Sequence, residues 1–202
     1  LRPAWMIRIG LALYDRLGGR RLLPKSCGLD LAHDPAGVPL KPGFRRGFEY
    51  SDCTVDDARL VVLNAIDAAR RGADIRVRTE LVRASGDGDG WRLRLRDTTT
   101  GEDAPAAARV LINAGGPWVE NVLDARLGRR SRAHVRLVKG SHIVVRRLYD
   151  HDRAYIFQNA DGRVVFAIPY QTDFTLIGTT DVEFAGDPST VSIEASEIEY
   201  LC

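Results

Sequence analysis

The stretch Val110-Leu111-Ile112-Asn113-Ala114-Gly115-Gly116-Pro117-Trp118 decides the fold class. An apolar run empties into an alanine-glycine-glycine bend, and the proline stands where a first helical turn can spare a backbone donor. From the residues alone, the pattern predicts a buried strand over 109–113, a turn, and a short helix from Trp118 to Leu127. Such strand-to-helix bends are where open α/β sheets hold ligands, because small residues let a bulky group approach the backbone and a helix start presents donors. An ordinary connecting turn has the same spelling, and the spacing leaves both readings open.

Upstream, Asp56 to Arg71 places Ala58, Val61, Val62, Ala65, Ala68 and Ala69 on one helical stripe, with Gly72 at the position of a left-handed cap. Asp56, Asp57 and Arg59 therefore read as a helix start, where carboxylates satisfy free N–H groups, and not as a catalytic pair. Alternating patterns at Ile75 to Val82 and Trp91 to Arg96, separated by the Gly86 to Gly90 turn, predict two strands. Nearer the start, Trp5, Ile9, Leu13 and Leu17 define an amphipathic helix stopped at Gly18-Gly19. The segment from Arg20 to Gly47, with Pro24, Pro35, Pro39 and Pro42, is expected as a long connection.

Downstream, alternation at His142 to Val145, Ala154 to Gln158, Arg163 to Pro169 and Phe174 to Gly178 predicts an antiparallel sheet, followed by a helix-like pattern from Ser192 to Leu201. The fold expected is mixed α/β (α+β) in three parts: a helix and connecting loop over 1–49, an α/β part over 50–127, and an antiparallel part over 128–202.

Bulk properties narrow the function classes. With 29 basic and 27 acidic residues, the net charge of +2 gives no electrostatic footprint for nucleic acid. The arginines at 126, 129, 130, 132 and 136 read as a solvated segment or an anion-facing surface. No apolar run approaches the roughly 20 residues of a membrane span. Cys27, Cys53 and Cys202 show neither a metal-ligand spacing nor a redox pair, so no metal is expected and a reducing compartment is favoured.

On residue pattern alone, His142 is a histidine at a strand start that backbone groups can satisfy. The same residue is also an imidazole, a group able to accept a proton near neutral pH. Thr179, Thr180 and Asp181 end a strand, as caps or as hydroxyls and a carboxylate aimed at a ligand. Lys139 is a solvated cation or a point charge for an anion.

Five motifs in order carry a resemblance: Phe48-Glu49-Tyr50-Ser51-Asp52-Cys53, Val55-Asp56-Asp57-Ala58-Arg59-Leu60, Asn113-Ala114-Gly115-Gly116-Pro117-Trp118, Lys139-Gly140-Ser141-His142-Ile143-Val144-Val145, and Ile177-Gly178-Thr179-Thr180-Asp181. Together they resemble the aerobic, FAD-dependent glycerol-3-phosphate dehydrogenases over essentially the whole chain. The resemblance implies part of an FAD-binding, Rossmann-like domain over 50–127, and an antiparallel substrate or cap domain over 128–202 to which the 1–49 region belongs. It implies FAD as cofactor, with Ala114, Gly115, Gly116, Trp118, Val82 and Thr179 on the cofactor side. It also implies sn-glycerol 3-phosphate as substrate, with His142 as catalytic base and His142, Thr180 and Lys139 near the substrate.

Electrons are expected to pass to a quinone, in a cytoplasmic protein held peripherally at the inner face of the cell membrane, with a homodimer among the assemblies the resemblance admits. A glycerol-3-phosphate oxidase using oxygen, and a silent module that kept the fold, are the rival expectations.

One departure touches the proposed cofactor turn, for the family usually has threonine where this chain has Gly115. The family's glycine-rich pyrophosphate loop has no counterpart in these residues, and Leu1 is not a start methionine. The expectation is therefore of an internal piece that by itself binds FAD poorly and is inactive.

Overall fold

The computed structural model describes residues 2–17, 23–86, 88–129 and 134–202. In chain order, α1 (Ala4–Leu17) is followed by β1 (Cys27–Asp30), β2 (Arg46–Glu49) and α2 (Asp57–Arg70). Next come β3 (Thr79–Gly86), β4 (Trp91–Asp97) and β5 (Asp103–Ala108). A composite helix then opens as a 3-10 turn at Gly116–Trp118, passes through α3 (Val119–Asn121) and widens into a π turn at Val122–Arg126. The chain continues through β6 (Val138–Lys139), β7 (His142–Arg146), β8 (Tyr155–Gln158), β9 (Val164–Tyr170), β10 (Phe174–Gly178) and β11 (Val182–Glu183) to α4 (Ala195–Leu201). Leu1, Gly18-Gly19, Arg20, Arg130, Arg132 and residue 87 of the Gly86 to Gly90 turn lie outside the described residues.

The chain divides into two compact units. The first comprises Leu1–Thr54, Val138–Glu183 and Ser192–Cys202; the second comprises Val55–Leu137 and Phe184–Val191.

In the first unit a four-stranded antiparallel sheet has the order β7-β10-β9-β8. Period-two alternation explains its faces, since Val165 and Ala167 on β9 and Thr175 on β10 are buried while residues between them are more open. The β8–β9 hairpin closes through Asn159 and Gly162, whose φ of +87° is a conformation glycine adopts without strain. The β7–β10 register sets His142 opposite Gly178, and β11 pairs with β6 just beyond, Val182 opposite Lys139.

The proline-rich region, expected as a long connection, contains two short strands. β1 and β2 pair antiparallel from Cys27↔Glu49 to Asp30↔Arg46, which confines Pro35, Pro39 and Pro42 to the segment between them. There Asp34 caps a 3-10 turn by accepting from the Ala36 N–H at 2.8 Å.

In the second unit β3-β4-β5 form an antiparallel meander. On β4, Trp91, Leu93 and Leu95 are half-buried and the arginines between them are more exposed, with Arg96 forking onto Asp103 of β5 at 2.7 and 3.1 Å. Pro105 is tolerated because β5 is an edge strand, where a missing N–H breaks no inner ladder. Asp56 caps α2 by accepting from the Arg59 N–H at 3.0 Å, and Gly72 ends it at φ +93°.

Two strand expectations are corrected here. The strand expected over Ile75 to Val82 begins only at Thr79 and runs to Gly86, because Arg78 at φ +54° interrupts the extended run. The strand expected over 109–113 does not form. Its alternation finds no partner ladder among the described residues, so Val110 and Ile112 are 71% and 82% exposed, and the paired strand is the preceding β5.

Candidate active site

In the second unit, the bend at 113–116 is shaped by Asn113. Its side-chain Nδ2 donates to the Val119 carbonyl at 2.9 Å, and its Oδ1 accepts from the Gly115 N–H at 3.2 Å. One amide thus braces the turn at both ends. A Cβ on Gly115 would stand 3.1 Å from that same Oδ1, so the residue's bareness matches the brace. Gly116 sits at φ +52°, with open space where a side chain would be. Ala114, Gly116 and Trp118 are exposed beside the exposed Val110 and Ile112. An open, small-residue bend with apolar flanks and an indole fits the approach of a flat ring system to the backbone. Val82 belongs to a different feature of this unit: it is the extra residue at the β3 bulge, where the register with β4 slips between Leu81 and Arg83.

In the first unit, His142 opens β7 with an exposed side chain. Its ring rests directly on Gly178, where an added Cβ would lie 2.3 Å from Cδ2, 2.7 Å from Cγ and 2.9 Å from Nε2. The glycine is therefore the floor under the imidazole. Beside it, Thr179 donates to the Thr180 carbonyl at 3.0 Å, and its hydroxyl oxygen would be 2.4 Å from a Cβ placed on Gly140.

Lys139 and Thr180, expected near the substrate, are turned inward. The Lys139 ammonium is 2.7 Å from Glu194 Oε1 and 2.8 Å from Glu197 Oε2, and it donates to the Ser192 carbonyl at 3.1 Å. Three partners for three N–H donors leave none for a substrate phosphate. The Thr180 hydroxyl, 2% exposed, donates to Glu197 Oε1 at 2.6 Å and accepts from the Ser141 N–H at 2.8 Å. Both residues build the neighbourhood of His142 from behind.

The organiser of that cluster is Glu197, which the sequence patterns did not single out. Oε1 accepts from Thr180 and from the Ser141 hydroxyl at 2.9 Å, while Oε2 faces Lys139 and accepts from the Glu194 N–H at 2.9 Å. The Lys139 and Thr180 hydrogen bonds outweigh desolvation and hold its carboxyl down to about 2, and the two carboxylates raise Lys139. The signal available was Glu194-x-x-Glu197 at a helix start, where an N3 glutamate reaches back to an N-cap backbone.

A family model described as FAD dependent oxidoreductase matches residues 2–202. The chain belongs to this family. Among relatives, it is 52% identical to a glycerol-3-phosphate dehydrogenase of Pseudomonas aeruginosa and 51% identical to the aerobic glycerol-3-phosphate dehydrogenase of Escherichia coli, in each case over 100% of the chain. It is 48% identical to D-erythritol 1-phosphate dehydrogenase of Brucella abortus over 99% of the chain. The matched region is 38%, 40% and 40% of those three proteins, so the chain spans about two fifths of these relatives. The resemblance carried by the motifs is thereby shown along the entire chain, and FAD is the cofactor of the family it belongs to. No helix among the described residues is long and apolar enough to cross a membrane.

Proposed function

We propose that this chain works within a flavoprotein that oxidises sn-glycerol 3-phosphate to dihydroxyacetone phosphate and passes the electrons to a quinone. In the same reading the protein works in the cytoplasm, peripheral to the inner face of the cell membrane. In this reading the second unit is part of a Rossmann-like FAD-binding domain, with Ala114, Gly115, Gly116 and Trp118 holding the ring side and the Val82 bulge nearer the adenosine half. The first unit is the substrate or cap domain.

The observation that carries the reading is the exposed imidazole of His142 seated on the bare backbone of Gly178. Held at the Ala114–Trp118 bend, FAD would supply the acceptor for the hydride of the carbinol carbon. The chain's own part is the proton: a ring nitrogen of His142 takes it from the substrate hydroxyl as the carbon–oxygen bond becomes a carbonyl. Gly178 keeps the ring from swinging into the sheet, and Thr179 lines the same strand end. Lys139 and Thr180 support this arrangement without touching the phosphate.

A longer polyol phosphate is the second reading, favoured by the identity to the Brucella abortus protein. One anaerobic experiment on the FAD-loaded holoenzyme separates the two. Glycerol 3-phosphate should bleach the oxidised flavin spectrum faster than D-erythritol 1-phosphate does, and the reverse order would transfer the assignment to the longer substrate. A coloured protein bleached by neither would end both readings. Reoxidation of the bleached enzyme by a soluble quinone, and only slowly by dissolved oxygen, is the outcome expected of a dehydrogenase; the opposite preference would make it an oxidase.

A further inference from the structure

We propose that Glu197 is a positioning residue for His142, its carboxylate clamping the Ser141–His142 opening of β7 to the Gly178–Thr180 end of β10. The proposal rests on the reading of His142 as the base and deepens it.

The path of the backbone into His142 is fixed by a reciprocal bridge just beyond the β7–β10 ladder. The Ser141 N–H donates to the Thr180 hydroxyl at 2.8 Å, and the Thr180 N–H donates to the Ser141 carbonyl at 3.2 Å. A hydroxyl has a single proton, so Thr180 serves as this acceptor in full only when its own proton is taken elsewhere. Glu197 Oε1 takes it at 2.6 Å, and takes the Ser141 hydroxyl proton at 2.9 Å. The other oxygen is occupied by Lys139 and the Glu194 N–H. Four donors thus converge on one carboxylate, two of them from the residues that lead the chain into His142 and out of Gly178.

An isosteric amide cannot reproduce this. Turned one way, the glutamine NH2 meets the Lys139 ammonium and the Glu194 N–H, donor against donor. Turned the other way, it forces both hydroxyls to reverse and removes the acceptor that aligns Thr180 with Ser141. The side chain is 4% exposed, so water does not readily stand in for the lost acceptor. The imidazole, resting on Gly178 at the end of this bridge, inherits any loosening of it.

The test is a double-mutant cycle in the FAD-loaded holoenzyme, reading the limiting rate of flavin reduction by glycerol 3-phosphate and the substrate Kd separately. Glu197→Gln should lower the rate about tenfold or more while Kd stays within about twofold, and adding it to His142→Ala should cost nothing further, as expected for two residues acting as a unit. Wild-type reduction by Glu197→Gln, equal loss of rate and affinity, or multiplicative losses in the double variant would each overturn the positioning role. Should Glu197→Gln fail to fold with flavin, Thr180→Val replaces it in the same cycle, with Thr180→Ser restoring the rate to within about twofold because it keeps the hydroxyl. Thr180→Val at the wild-type rate would likewise overturn it. A slow His142→Ala beside a fast Glu197→Gln sinks only this inference, whereas a fast His142→Ala sinks the base assignment beneath it.

Discussion

Lys139 and Glu197 meet at 2.8 Å with their side chains only 6% and 4% exposed, tying β6 to α4 across most of the first unit's C-terminal half. The pair is surrounded by donors matched to its acceptors, so its charges are compensated where they sit.

Acid should uncover this pair. The Glu197 carboxyl is held to about 2, below its ordinary 4.5, so its contribution to stability is fully present above about 4.5 and drains away as pH falls toward 2. Unfolding midpoints of the wild type and Glu197→Gln should therefore converge as pH drops through this window, while the exposed carboxylates common to both cancel. A gap that stays constant down to about pH 2 would contradict the assignment. At the alkaline end the sign reverses: Lys139 is raised above 10.5, so its contribution holds below 10.5 and is lost as pH climbs through the raised value.

Gly178→Ala should disable the site without touching a polar group. The new methyl would lie 2.3 Å from His142 Cδ2, on a buried strand backbone beneath an exposed ring, so the imidazole is the group that must move. The expected result is flavin reduction slowed at least as much as by Glu197→Gln, with a small change in the unfolding midpoint because the displaced ring is exposed; an unchanged reduction rate would show that the ring's seat on Gly178 does not matter.

His142→Ala should slow flavin reduction by about a hundredfold or more, the usual scale for loss of a general base, with a much smaller change in substrate affinity. Rapid-mixing spectrophotometry at saturating substrate reads the first, and a substrate titration of the observed rate reads the second.

Asn113→Ala should weaken flavin retention. It removes both the bond to the Val119 carbonyl and the acceptor for the Gly115 N–H, leaving the bend unbraced. The flavin-to-protein ratio after dialysis should fall, with Asn113→Asp intermediate because it keeps the acceptor and loses the donor. Full flavin content in Asn113→Ala would remove this bend from the cofactor's support.

Local pattern and long-range pairing divide what was legible. The helices at Ala4–Leu17 and Asp57–Arg70 and the strands at His142–Arg146 and Phe174–Gly178 follow from spacing, because amphipathic periodicity and punctuation by Asp, Gly and Asn are written into neighbouring residues. The run at 109–113 has the same apolar lettering as a buried strand, yet a strand needs a partner ladder, and none stands beside it among the described residues. β1 and β2 failed to announce themselves for the opposite reason: each is four residues long and acquires its identity only by pairing across the proline-rich segment.

The amino-acid order therefore determined the helices, the hairpins of the four-stranded sheet and the family, and it singled out the Asn113–Trp118 bend and His142 as candidates, all of them features carried by residues close together in the chain. Tertiary structure alone decided that Lys139 and Thr180 face inward, that Gly178 is the floor under the imidazole, and that Glu197 gathers four donors behind it. Those roles depend on where a hydrogen bond or a methyl-sized gap falls between distant segments, and such distances exist only once the sheet and α4 have packed.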